Sequence, residues 1–304
     1  MPYHLADASA NTHRFIEGPY SRVPKELSCA FTASFLVSPL VSIIDKAIVK
    51  EISGIGHLGS EMAKACQEMI VKPRAFFGGL SFRLTFIVYF GTYSVANLSE
   101  AALDYYRIRD QDERKTWKVS MASGANIGLL AWRDSVFARE FSRSGTHAPK
   151  TMPPRAPLRT LGLFAARDCV TMTSTFYVAP KVSQHLIQEH GYHKEVAEVS
   201  TALCIPVISQ FLTAPIHIHA IDYYTRQHAT TAERFMRLKD EMGKVCFARG
   251  LRILPAFGIG SYSNNKFREL TIRQPNEELL LRAKIAHKLH LSDLDGSGQA
   301  GMIR

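Results

Sequence analysis

The chain is poor in several features that would place it quickly. It has five cysteines and two tryptophans in 304 residues. No two of Cys29, Cys66, Cys169, Cys204 and Cys246 stand in a Cys-x-x-Cys spacing, and the count is odd. Both facts argue against a disulfide framework and against a zinc site. There is no Gly-x-Ser-x-Gly and no Walker loop, and Gly78-Gly79 is too little for a nucleotide cradle. The chain therefore reads as a non-enzyme, with no cofactor and no metal. His217 and His219 do not change this, because a spacing of two places them on different faces of a helix. Asp293-Leu-Asp-Gly-Ser-Gly298 resembles the first half of an EF-hand loop, but its twelfth position is Arg304 rather than a bidentate glutamate. The net charge is +10, yet no run of five Lys or Arg residues exists. Nucleic acid is therefore not an expected partner. Basicity of this scattered kind suits a protein held among anionic membrane lipids or one that handles anionic solutes. The N-terminus lacks the apolar core of a secretory signal and carries Asp7 and Glu17, so no cleavable leader is expected.

What the chain does have is long, weakly apolar segments between charged stretches. Leu27 to Ile44 is free of Asp, Glu, Lys and Arg for 18 residues, and Val199 to Ile221 for 23. Both lengths approach the roughly 20 residues that cross a bilayer. Pro39 lies inside the first run; Pro206 and Pro215 lie inside the second. Phe76–Leu98, Val119–Trp132, Leu158–Lys181 and Leu251–Phe267 are further span candidates. His57–Lys72 and Thr230–Cys246 read as charged amphipathic helices suited to a membrane surface. Residues 143–157 hold Pro149, Pro153, Pro154 and Pro157 and read as a loop.

One pattern recurs. Arg83, Arg167 and Arg252 are 84 and 85 residues apart, and each is followed ten residues later by a tyrosine: Tyr93, Tyr177 and Tyr262. Charges inside apolar segments are costly and usually functional. The repetition predicts three copies of a two-helix unit with the arginines on a common axis. The expected fold is an all-α membrane protein: six transmembrane helices in three repeats of two helices plus short surface helices around a central cavity. The expected organisation is a polar tail (1–24), three repeats (25–110, 111–192, 193–270) and a second polar tail (271–304).

Three stretches carry a family resemblance: Phe76-Phe77-Gly78-Gly79-Leu80-Ser81-Phe82-Arg83, Arg249-Gly250-Leu251-Arg252-Ile253-Leu254-Pro255 and Thr213-Ala214-Pro215. With six helices in three repeats, the chain resembles the mitochondrial carrier family. The odd-helix signature of that family, Pro-x-acid-x-x-base, is eroded here. Val41 and Ile44 follow Pro39, and His217 and Ala220 follow Pro215. In the middle repeat Asp134 keeps the acid position after Trp132. At the opposite gate Lys181 and Lys266 keep bases without their acids. Asp45 and Asp222, just past Pro39 and Pro215, are alternative locks.

The resemblance implies alternating-access transport across the mitochondrial inner membrane. Its substrate would be a small anionic metabolite, carboxylate or keto-acid-like, gripped by Arg83, Arg167, Asp168 and Arg252. Pro39, Asp134, Pro215, Lys181 and Lys266 would form gates and hinges. The alternative reading is a carrier-derived structural or accessory protein that no longer transports and sits in a protein complex.

Overall fold

A computed structural model describes residues 19–108, 110–141, 157–226 and 228–286, and no strand occurs among them. The tail before residue 19, most of the proline-rich stretch at 143–157 and the EF-hand-like Asp293–Gly298 lie outside the described residues.

The chain forms α1 (Pro19–Ile52), α2 (Leu58–Val71), α3 (Pro73–Gly78), α4 (Leu80–Tyr105), α5 (Gln111–Phe141), α6 (Leu158–Thr173), α7 (Ala179–His190), α8 (Lys194–Ile208), α9 (Gln210–Thr225), α10 (Thr231–Leu254) and α11 (Tyr262–Arg268). Several are joined end to end. A π-type turn at Ser174–Val178 links α6 to α7, and another at Pro255–Ser261 links α10 to α11. Ser209 links α8 to α9. The described elements thus make six long helical rods: α1, α4, α5, α6–α7, α8–α9 and α10–α11. Each rod packs on the next, and the last packs on the first. The result is a closed ring, with α2 and α3 on the connection between the first two rods.

Local chemistry sets several boundaries. Thr230 and Glu233 form a reciprocal capping box at the start of α10, with the Thr230 N–H donating to Glu233 at 2.7 Å. α7 ends at Gly191, whose φ of 65° is the left-handed conformation that glycine adopts without strain. Gly260 answers a different need, since a Cβ there would lie 2.2 Å from the Tyr93 hydroxyl. The two rods can approach this closely only at a glycine.

Large apolar side chains lie outside while several charges lie inside, beside an apolar core. Phe31, Phe35, Leu36 and Leu40 of α1 and Phe211 and Leu212 of α9 are exposed, whereas Glu26, Asp45, Arg133, Asp134, Arg167, Asp168 and Arg268 are buried. An apolar exterior around a charged interior suits a lipid surround.

The expected all-helical fold is present among the described residues. Among the described residues, two segments are long and apolar enough to cross a membrane by length and composition, Ser21–Ile52 and Lys194–Thr225. α5 begins with Asp112, Glu113, Arg114 and Lys115, and α10 carries its charges on one unbroken helix from Thr231 to Leu254 instead of a surface helix followed by a separate span.

Candidate substrate site

The C-terminal end of α1 meets the other rods at an apolar plug: Ile48, Val49 and Ile52 of α1, Leu84 of α4, Phe137 of α5, Phe164 of α6, Ile218 and Ile221 of α9 and Val245 of α10. Charged residues form a layer directly beside it. On α1, α5 and α9 the polar residues Asp45, Asp134 and His217 precede the plug residues in sequence. On α6 and α10 the order reverses, with Phe164 before Arg167 and Val245 before Arg249. That reversal is what antiparallel neighbours require, and it places all these polar groups on one level.

They form a continuous network. Asp45 accepts from Arg133 at 2.6 Å and stands 3.2 Å from the Nε of Arg252. Arg133 also donates to Asp134, through Nη2 at 2.7 Å. The other oxygen of Asp134 accepts from Arg167 at 2.6 Å. Arg167 then grips Asp168 through Nε and Nη2, at 2.8 and 2.6 Å. It also donates to His217 Nδ1 at 2.7 Å. A guanidinium has no acceptor, so His217 Nδ1 carries the lone pair and the ring is neutral. Arg133 lies over the Phe137 ring and Arg167 over the Phe164 ring, at 5.2 and 5.3 Å. These contacts seat the charged layer on the plug.

Three groups of this layer, Arg133, Arg249 and Gln210, fall outside the sequence expectation. Arg249 is buried and gives its Nε to the side-chain oxygen of Gln210 at 2.9 Å. Gln210 is fixed in turn by donating to the Pro206 carbonyl at 2.7 Å and accepting from Thr213 at 2.9 Å. It sits at the break that divides α8 from α9. A proline removes one helix hydrogen bond, and the side chains of Ser209 and Gln210 both donate to the Pro206 carbonyl across the break.

A second ion-pair cluster ties α1, α4, α5 and α11 together at the other end of the ring. Arg268 clasps Glu26 through Nε and Nη2, at 2.5 and 3.0 Å, and reaches Glu100 at 2.9 Å. Arg22 joins Glu26 to Asp104, at 3.0 and 2.6 Å. Lys118 of α5 and Arg273 add to Glu100, at 2.5 and 2.9 Å. Just inside, Asn97 and Asn264 exchange two side-chain hydrogen bonds of 3.0 and 2.9 Å.

The expected site residues divide as follows. Arg167, Asp168, Asp134 and Arg252 come together in the charged layer. Arg83 does not: it is exposed on the face of α4 that also exposes Leu80 and Ile87, while Leu84 and Thr85 point inward. One residue is a turn of about 100° on a helix, so a repeat counted one position out moves a side chain from axis to exterior. Pro215 lies within an unbroken α9, and the break occurs after Pro206. Pro39 likewise sits inside an unbroken α1. Lys181 is exposed. Lys266 pairs with Glu269 on its own rod at 3.0 Å, leaving the inter-rod contact to Arg268. Asp222 is held by Arg226 and, at 2.7 Å, by Arg234, apart from the central layer. His219 faces outward beside Tyr223.

Residues 29–271 match the family model described as a probable citrulline exporter. The chain belongs to that family. No curated protein and no solved structure shows a significant match. The match overturns the resemblance to mitochondrial carriers, which rested on short glycine, arginine and proline patterns. The expected mitochondrial inner membrane and the anionic solute rested on that resemblance and lose their support with it. Membership in the exporter family makes the chain a membrane transport protein for a small solute, not an enzyme.

Proposed function

We propose that the chain exports a small zwitterionic amino acid of the citrulline type, using the charged layer between α1, α5, α6, α9 and α10 as its substrate site. The observation that carries this reading is the layer itself. Four arginines and three aspartates are held inside a ring whose outer face is apolar. Sequestering charges in this way costs several kcal/mol per ion unless they are paired, and a transport path is a common reason to retain them. The family description supplies the substrate class.

The two ion-pair clusters fit alternating access. Glu26 and Asp45 lie on the same helix, 19 residues apart. At 1.5 Å per residue that is about 28 Å, close to the roughly 30 Å of a hydrocarbon core. Both clusters are formed here. Export requires one cluster to part at a time, with substrate binding offsetting the broken contacts.

Purified protein in liposomes loaded with radiolabelled citrulline tests this. Citrulline efflux above that of protein-free liposomes, competed by other neutral amino acids and not by dicarboxylates, is the expected result. Flux of dicarboxylates alone, or no flux from a folded preparation, sinks the reading. The second outcome would favour an accessory role.

A further inference from the structure

The charged layer is not balanced. Arg133, Arg167, Arg249 and Arg252 face Asp45, Asp134 and Asp168, and His217 is neutral, so one positive charge is left over. The surplus can be located by asking which guanidinium still has donors to give. Arg167 has four of its five N–H groups engaged, by Asp168, Asp134 and His217. Arg133 is held at Nε, Nη1 and Nη2 by two carboxylates. Arg249 is different. It is 5% exposed, and its one hydrogen bond among the described residues is the Nε contact to the neutral amide of Gln210. No carboxylate pairs with it there.

Arg252 lies three residues further along α10, on the same face. Its Nε is close to Asp45 but makes no hydrogen bond. Arg249 and Arg252 therefore stand side by side, Arg249 with no carboxylate partner among the described residues and Arg252 beside Asp45, next to Arg133 and Arg167, which engage three and four of their N–H groups.

We infer that Arg249, aimed by Gln210, is the receptor for the α-carboxylate of the transported amino acid, with Arg252 as its flanking cation. This rests on the export reading and adds the group that recognises the substrate. The Nε contact to Gln210 fixes the plane of the guanidinium and leaves the two Nη groups, which can meet both oxygens of a carboxylate. A buried cation without a counter-ion is costly, and a carboxylate that supplies the missing charge binds for that reason. The missing charge is the size of one α-carboxylate, so an acid is favoured over its amide. Gln210 and Arg249 lie on α9 and α10, and Gln210 sits at the break between α8 and α9. Binding at Arg249 thus acts where one rod is already divided.

The test measures binding to the purified full chain of amino acids paired with their carboxamides, citrulline with citrullinamide first, together with thermal stability in detergent. Wild type is expected to prefer each acid. Arg249→Gln removes an uncompensated charge, so its Tm should stay the same or rise, and its preference for acids should vanish. Loss of a charged hydrogen-bonded contact corresponds to about a ten- to hundredfold weaker Kd for citrulline. A structural role for Arg249 would instead lower Tm and leave the acid-to-amide ratio unchanged, which overturns the proposal. If Arg249→Gln does not fold, Arg249→Lys decides. It should bind acids about tenfold more weakly and keep the preference; unchanged affinity overturns the proposal. If wild type prefers no acid over its amide, the carboxylate site is wrong. If it prefers acids but neither binds nor moves citrulline, the citrulline reading fails and the site stands.

Discussion

The carboxylate of Asp45 accepts a 2.6 Å hydrogen bond from Arg133, 88 residues away in the chain, and stands 3.2 Å from the Nε of Arg252. One buried oxygen pair thereby ties the first, third and last rods of the ring. Asp45→Asn keeps the shape and removes the charge, leaving two guanidiniums under-compensated. The expected loss is about 3–5 kcal/mol of stability, read from unfolding in detergent. Adding Arg252→Gln should recover part of it, since the two changes act on one contact and are not additive. Simple additivity would show that the pair is not coupled.

Arg83 and Arg167 look equivalent in sequence and are opposites in structure. Arg83→Ala removes an exposed side chain and should change stability by no more than about 0.5 kcal/mol, with citrulline efflux retained. Arg167→Ala strands Asp134 and Asp168 in the interior and should cost about 3–5 kcal/mol and abolish efflux. Equal effects of the two changes would contradict the placement of Arg83 outside the ring.

Gly260 has no room for a methyl group. Gly260→Ala brings a Cβ to 2.2 Å from the Tyr93 hydroxyl, which itself donates to the Ala256 carbonyl at 3.3 Å. The tyrosine has to move, at a cost of about 1–3 kcal/mol. Tyr93→Phe in the same chain removes the clashing oxygen and should restore most of the loss. No rescue would mean that the contact with Val37, at 3.3 Å, dominates.

Acid should weaken the junction of α1 and α2. Glu61 accepts from Lys50 at 2.5 Å and from Lys64 at 2.8 Å, and these bonds, Lys50 first, hold its carboxyl below the usual 4.5. A carboxylate with a lowered folded pKa contributes stability that is full above the unfolded value. That stability is lost as pH falls through the folded value. Wild type should therefore lose stability progressively as pH drops below about 4.5, and Glu61→Gln should show a flatter decline over the same interval. Parallel curves for the two proteins would remove Glu61 from the acid response.

Parts of this arrangement were readable in the sequence. The 18 uncharged residues from Leu27 to Ile44 mark α1, and the adjacency of Arg167 and Asp168 anticipates their bidentate contact. Of the two carriers of the unbalanced charge, Arg252 was readable and Arg249 was not. Arg249 and Arg252 both occur in Arg-Gly-Leu-Arg, but the ten-residue spacing to Tyr262 drew attention to the second arginine. Those tyrosines are not equivalent in the fold: Tyr93 is buried, and Tyr262 is 66% exposed. Gln210 carries no local signal, because its role depends on a residue 39 positions away. The same holds for Glu26 and Arg268, which are 242 positions apart and meet only because the ring closes. Short-range spacing reports which residues share a helix face. It says nothing of which distant partner completes a charge.

The unbroken course of α1 has a mechanical consequence. With Glu26 near one end and Asp45 near the other, this helix is a lever anchored at both tips. Tilting it by about 10° around its midpoint would shift each tip by about 2.5 Å in opposite directions, given a 28 Å span. That displacement is enough to pull a 2.6 Å ion pair out of contact at one tip while pressing the other tip inward. On the proposed cycle, such a helix would disfavour releasing both tips together. On the proposed export cycle, α1 would itself couple the two ends, without a separate device to coordinate them.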